Sequence, residues 1–494
     1  MIPLTVTDIA ALTGGTLAAS PDTESVVVTG PVVIDSRQAT GGALFAALPG
    51  EHADGHDFAA AAARAGAAAV LAARPVPEIG GPETGVPVIL VPDVTVALGH
   101  LARAVLSRLP AATVVGITGS SGKTSTKDLT AQVVERLGRT IAPEGSLNNE
   151  IGLPLTVLRA DERTRYLVLE MSARGIGHIA YLTGIAPPRI GAVLNVGRAH
   201  AGEFGSTDAV AKAKGELVEA LPAASAGGVA ILNADDPNVA AMASRTAARV
   251  VSFSAASPGA ASPGVASTGV ASTGVDADVR ATDVRLDQLG RASFHLIING
   301  TGADVRLRLH GGHHVGNALA AAAVAAELGM DTTAIAEALS DATARSRKRM
   351  ELHERADGVL VVNDAYNANP DSTRAAIEAL AHLTSGGRRG FAVLGYMAEL
   401  GDIAEESHEE AGRLAAQAGV TGLVAVGEHA APVLTGARAQ PGWRGEAISV
   451  PDPKAAVEAL RNRLRPGDVV LVKASKSAGL WEVADGLLAE VGDQ

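Results

Sequence analysis

Between residues 113 and 253, short apolar runs alternate with stretches of helical periodicity. The segments 113–117, 166–169, 190–196, 229–232 and 250–253 are mostly apolar and rich in Val, Ile and Leu. Runs of this length with loops on either side predict buried strands of a mostly parallel sheet. Helical stretches between them, such as 207–221 and one ending near Leu137, supply the crossovers. The Ala-rich stretch 317–328 and a second helix at 332–339 close this unit. The alternation then restarts, with strands expected at 359–363, 391–394, 423–426 and 469–472. Ahead of it all, 88–91 is a short apolar run between prolines and 94–109 has helical periodicity. The pattern predicts an α/β protein of three domains, 1–110, 111–343 and 344–494, the second carrying an insert near 254–275. That insert repeats ASPGV and ASTGV without large side chains, which predicts a disordered loop.

Composition narrows the chemistry. The 494 residues include no cysteine, which excludes disulfides, zinc–thiolate sites, iron–sulfur clusters and thiol nucleophiles. Net charge is −12, so a broad nucleic-acid footprint is not expected. The first ten residues, MIPLTVTDIA, show no basic stretch and no long apolar core, so no signal peptide is expected. The Ala-rich run 58–73 is interrupted by Arg64 and too short to span a bilayer. A cytoplasmic protein without membrane insertion is the expectation, as a monomer.

The strongest local signal is VVGITGSSGKTSTKD at 114–128. A β-run enters a loop of Gly119, Ser120, Ser121 and Gly122, and Lys123, Thr124 and Ser125 open a helix. Backbone N–H groups of such a loop wrap a phosphate, and the helix N-terminus adds partial positive charge. Lys123 would reach the β/γ-phosphates and Thr124 would hold Mg²⁺. Ile117 occupies the place of the first glycine in the longer form of this loop, so this is the shorter Gly-x-x-Gly-Lys-Thr version.

Glu170 ends the run 166–170, and a carboxylate at the C-terminal end of a parallel strand faces the phosphate crevice. Alone it reads as a cap or an ion pair; beside a phosphate loop it reads as a Mg²⁺ ligand. His200 reads as a metal ligand or a hydrogen-bonding loop residue. Lysine is scarce, eight against 33 arginines, yet Lys123 and Lys127 fall at the loop and Lys212 and Lys214 on one helix. In the third domain NDAYNANP (363–370) delivers Asp364, Tyr366, Asn367 and Asn369 to one loop, while Lys473 and Lys476 follow a strand.

Several long strings in order resemble the Mur ligase family, the ATP-dependent amide-forming enzymes of peptidoglycan precursor synthesis. They run from Ile34-Asp35-Ser36-Arg37 and LFAALPGEHADGHDF (44–58) through the phosphate loop, SLNNEIGLPLTVL (146–158) and LEMSARGIGHI (169–179). NVGRAHAGEFGS (195–206), AKAKGE (211–216), HHVGNALAAAAVA (313–325), Arg349-Met350-Glu351, NDAYNANPDS (363–372) and VLGYMAELG (393–401) continue it. The resemblance implies a small α/β UDP-sugar domain, a central ATPase sheet with a phosphate loop, and a C-terminal Rossmann-like domain for the incoming amine. It implies ATP as a substrate, Mg²⁺, and an acyl-phosphate intermediate. By position, Thr124, Glu170 and His200 would organise Mg²⁺. Asn317, Arg349, Asp364 and Asn367 would face the nucleotide. Ser36 and Arg37 match the UDP-sugar motif, and Asn148, Asn149 and Ser172 the muramoyl-peptide site. Lys214 would carry a CO₂-derived carbamate, because the family's modified lysine lies on this helix. Two residues depart from the pattern: His314 stands where relatives commonly have Asn, and Tyr396 where an acid is usual.

Within the family, YNANPDS points to the kind that adds a dipeptide, with UDP-N-acetylmuramoyl-tripeptide and D-Ala-D-Ala as partners. The alternative is a sister ligase adding a single diamino acid. The Asp-Asn-Pro-Arg string typical of the diaminopimelate-adding kind is absent.

Overall fold

The computed structural model describes residues 1–18, 25–50, 53–76, 79, 85–197, 204–255 and 277–489. Three larger sheets follow one another along the chain. The first has five strands, in the spatial order Thr16–Ala18, Val88–Leu90, Ala67–Ala72, Ala43–Ala46, Val32–Val33. The Ala-rich run is split here: Gly66, at φ +109°, turns the chain from the helix Ala59–Arg64 into the strand Ala67–Ala72.

The central sheet has nine strands. Its parallel part places Thr113–Thr118 between Tyr166–Glu170 and Ile190–Val193, followed outward by Val229–Asn233 and Arg249–Ser254. Its far side is an antiparallel ribbon, Val279–Leu286, Arg291–Ile298 and Thr301–His310. Period-2 burial along that ribbon shows one face packed and one exposed. The parallel strands lack that alternation because helices cover both faces. The helix His314–Glu327 lies on one face with a nearly continuous row of buried alanines, whose small side chains permit a close approach to the sheet.

The expected elements shift mainly at their ends. The helix expected at 317–328 begins three residues earlier, at His314. The strand expected at 190–196 ends at Val193, and the phosphate-loop helix ends at Val134 rather than near Leu137, where turns take over. One apolar cluster runs from Leu44, Leu98 and Leu101 of the first sheet's region to Leu153, Leu169 and Leu182 of the central one. The third sheet has six strands, with Leu360–Asp364, Val469–Lys473 and Gly390–Leu394 adjacent and parallel. Residues 256–276, which hold most of the expected insert, lie outside the described residues, as does His200.

Candidate functional site

The strand Thr113–Thr118 sits at the switch point of the central sheet, since chain order runs one way to Tyr166–Glu170 and the other way to Ile190–Val193. Crevices open at the C-terminal ends of parallel strands at such points. All three strand ends contribute. Residues 119–122 form the loop, and the helix Lys123–Val134 begins with Gly122 as its cap at φ +79°. A Cβ on Gly122 would stand 2.6 Å from the Asn317 side-chain oxygen, so both backbone angle and space demand glycine. Asn195, just past Ile190–Val193, clamps the loop: its Oδ1 accepts from the Ser121 N–H at 2.9 Å and its Nδ2 donates to the Ser121 carbonyl at 3.2 Å.

On the other flank, Glu170 is buried, 1% exposed. Thr124 Oγ1 donates to its Oε2 at 2.8 Å and Asn148 Nδ2 to its Oε1 at 2.7 Å. Ser146 Oγ lies 3.3 Å from the same carboxylate and 3.0 Å from Thr124 Oγ1. Glu170 thus has neutral donors and no cation within salt-bridge distance among the described residues. A buried carboxylate beside a hydroxyl, held by neutral groups, fits a hard divalent cation that keeps several waters.

Positive charge gathers opposite. Lys123 Nζ donates to the Gly119 carbonyl at 2.7 Å. Burial lowers its pKa and Arg349 pushes the same way, while Glu170 opposes. Arg349 stacks over the Tyr366 ring at 4.3 Å and donates to Ser146 Oγ at 3.1 Å, yet its Nε is buried without a hydrogen-bond partner. A guanidinium with an unused buried donor, aimed at a phosphate loop, is suited to an anion. Lys214 is 2% exposed and has no hydrogen-bond or ion-pair partner among the described residues. Burial, and then the charge of Lys123, hold its amine well below the ordinary lysine range. Its neighbour Lys212 is exposed. Glu216 does not pair with Lys214. It accepts the N–H groups of Gly177 and Ala180 (3.0 Å to Ala180) at the start of the helix His178–Ile185.

The third sheet faces this crevice. Asp364 and Lys473 are register partners at adjacent strand ends and pair at 2.6 Å. Lys473 also donates to the Asn367 carbonyl at 3.0 Å. Asn369 caps the helix Pro370–Thr384 and donates to the Ser120 carbonyl at 3.4 Å. The two sheets together enclose a cleft of about 2320 Å³.

Three family models match the chain in order: the Mur ligase family catalytic domain at 31–105, the Mur ligase middle domain at 117–325, and the Mur ligase glutamate ligase domain at 348–476. A UDP-N-acetylmuramoyl-tripeptide–D-alanyl-D-alanine ligase of Mycobacterium tuberculosis is 50% identical over 99% of this chain and 98% of its own. The chain belongs to the Mur ligase family. The ligase of the same name in Escherichia coli is 35% identical, covering 99% of both chains. Among solved structures, MurF from Acinetobacter baumannii superposes with TM-score 0.82 at 29% identity, covering 99% of each chain. MurF ligase from Thermotoga maritima, in complex with ADP, superposes at 0.76 with 28% identity, covering 94% of this chain and 98% of that one.

Most of the residues that the Mur ligase motifs single out converge on the cleft. Gly122, Ser120, Ser121, Lys123, Thr124, Ser125, Glu170, Asn317, Arg349, Asp364 and Asn367 all line it, and so do Asn148, Asn149 and Ser172. The two asparagines differ in task. Asn148 bonds Glu170, while Asn149 Oδ1 accepts the Gly152 N–H at 2.9 Å at the start of a helix. Ser36 and Arg37 do not line the cleft: Arg37 is exposed and held by Asp35, whose pKa that guanidinium lowers to about 2. His314 is buried, and burial, then His313 and His310, hold it well below the usual histidine range. Its neutral ring faces the amide of Asn317 at 3.3 Å, and Asn317 in turn accepts from Thr126 at 3.2 Å. Tyr396 donates to Ser477. Sequence reasoning overlooked Ser146 and Asn195 as individuals, although both head quoted motifs; each acts through a contact distant in sequence.

Proposed function

We propose that this Mur ligase joins D-alanyl-D-alanine to UDP-N-acetylmuramoyl-tripeptide with ATP, giving the peptidoglycan pentapeptide precursor, ADP and phosphate. The observation that carries the reading is the meeting of two sheets at one loop: Arg349 reaches Ser146 and Asn369 reaches Ser120 beside Lys123. A ligase needs phosphate chemistry and an incoming amine in one enclosure, and a kinase has no use for the second sheet. Relatives of this name along the whole chain support the dipeptide over a single diamino acid.

The tripeptide carboxylate attacks the γ-phosphorus and ADP leaves, forming an acyl phosphate. The dipeptide amine then attacks the carbonyl, loses its proton, and phosphate departs from the tetrahedral intermediate. Lys123, the loop N–H groups and Arg349 stabilise charge that develops on the phosphoryl oxygens. Thr124 and Glu170 would hold Mg²⁺, which neutralises crowded phosphate and carboxylate oxygens; His200 is the further expected ligand. The Lys214 amine, without a partner among the described residues, suits carbamylation: the neutral amine adds CO₂ and releases one proton, leaving a carbamate anion where a protonated lysine would repel Mg²⁺. The reading assigns 1–110 to the muramoyl-peptide substrate through Ser36 and Arg37, and Asn148, Asn149 and Ser172 of 111–343 to the same substrate. ATP falls to 111–343 and D-Ala-D-Ala to 344–494. It places the protein in the cytoplasm as a monomer, and among the described residues no helix is long and apolar enough to cross a membrane.

Phosphate release with UDP-N-acetylmuramoyl-tripeptide tests it, comparing D-Ala-D-Ala with D-Ala and with diamino acids. Turnover should require the dipeptide; activity confined to one diamino acid would overturn the assignment.

A further inference from the structure

One buried charged pair has no part in the chemistry above. Lys127 and Asp128 lie one turn past Thr124 on the phosphate-loop helix, 2% and 8% exposed, and pair at 2.5 Å. They line a smaller cavity of about 670 Å³ behind that helix, not the cleft. Each makes a second contact. Lys127 Nζ donates to the Pro143 carbonyl at 2.8 Å, and Asp128 Oδ2 accepts from the Ser346 N–H at 3.0 Å. Three residues beyond Pro143 is Ser146, and three beyond Ser346 is Arg349. The two tips meet where Arg349 donates to Ser146 Oγ at 3.1 Å, next to Thr124 and Glu170. The pair therefore grips the roots of two segments whose tips close on one atom.

Neighbouring contacts strengthen the grip on the second segment. Gln132 exchanges two hydrogen bonds with Thr343, and Arg345 pairs with Glu135, which caps the C-terminal end of the same helix. From Lys348 onward the chain is tied to the third domain instead: its N–H donates to Glu351 at 2.8 Å and its ammonium sits 3.9 Å over Trp481. Lys348 and Met350, on either side of Arg349, both have left-handed backbones, φ +62° and +49°. Non-glycine residues hold such angles only where surrounding contacts impose them. The direction of Arg349 is thus set by anchors on both sides.

We propose that Lys127 and Asp128 are a positioning pair: through Pro143 and Ser346 they set Ser146 and Arg349 against the phosphate loop. The inference rests on the reading that Arg349 serves the nucleotide. A buried ion pair is seldom the most stabilising choice for its place, and an apolar pair of similar volume commonly folds as well. A pair kept for position is separable from one kept for stability on that ground.

The test is a double-mutant cycle in the full-length protein, following ADP formation with all substrates. One arm is Lys127→Met with Asp128→Leu, the other Arg349→Ala. The paired replacement should melt close to the parent while kcat falls about tenfold or more, with less change in KM for ATP. In the Arg349→Ala background the same replacement should cost little further. An equal fold-loss in both backgrounds would overturn the positioning role and leave the reading of Arg349 standing. Near-full activity of Arg349→Ala alone would overturn both. If the paired replacement does not fold, Asp128→Asn goes through the same cycle with the same deciding outcomes.

Discussion

Lys214, on the helix Thr207–Glu219 beside the central sheet, and Lys473, at a strand end of the third, are equally buried, each 2% exposed, yet their surroundings are opposite. Lys473 has Asp364 at 2.6 Å and a carbonyl besides. Lys214 has no partner among the described residues, and the nearest charge that matters is the like charge of Lys123. Asp364 neutralises one of them; the other has no counter-charge within salt-bridge distance among the described residues. Burying an ammonium without a counter-charge is costly, and burial accordingly holds the Lys214 amine well below the ordinary lysine range, whereas the paired lysine ties two strand ends together.

That contrast is easiest to break at Lys123. Lys123→Ala should abolish ATP turnover, by about a thousandfold, with an unchanged circular dichroism spectrum. Near-normal turnover would remove the phosphate-loop assignment. Lys473→Met attacks the other side: it leaves Asp364 without its cation and should lower unfolding free energy by about 3–5 kcal/mol in denaturant titration. A neutral result there would mean the pair is not structural. Glu170→Gln keeps the shape and loses the charge, so turnover should fall about a hundredfold and the Mg²⁺ titration should shift to higher concentration. An unchanged titration would take Glu170 out of the metal site.

Lys214→Ala should lose activity about tenfold or more, partly restored by formate or acetate, while Lys212→Ala should be mild. The reverse order would show that the exposed lysine is the functional one. The smallest effect is on stability against pH. The folded Lys214 amine titrates below its unfolded value of about 10.4. Between those two values the unfolded chain binds one proton more, so stability rises with pH across that window, and the cost is full below it. In CO₂-free buffer, Lys214→Met should therefore melt higher than the parent at pH 7. The gap should narrow as pH approaches 10, and a pH-independent gap would contradict a depressed amine.

Much of this site was legible. The loop 119–125 identified itself because strand, glycines, lysine and helix are contiguous, and local sequence controls local backbone. Glu170 followed from its place at a strand end. Lys214 was preferred to Lys212 on the family resemblance; residues two apart point to different sides of a helix, so only one of the two turns inward, and Lys214 is the buried one while Lys212 is exposed. The antiparallel ribbon 279–310 went unread beside the stronger parallel runs, although its alternation is plain once seen. Ser36 and Arg37 carry a motif, but motif membership does not say which way a loop faces.

The sequence by itself determined the α/β layout and the phosphate loop, because apolar runs and turn residues act over a few positions. Only the tertiary structure decided which charges are satisfied. Lys473 finds Asp364 across 109 positions, Arg349 finds Ser146 across 203, and Lys214 finds no partner among the described residues. Partnership between distant side chains depends on how sheets stack and where the chain crosses between them. Desolvation, which depends on the same packing, then sets the charge of each buried group.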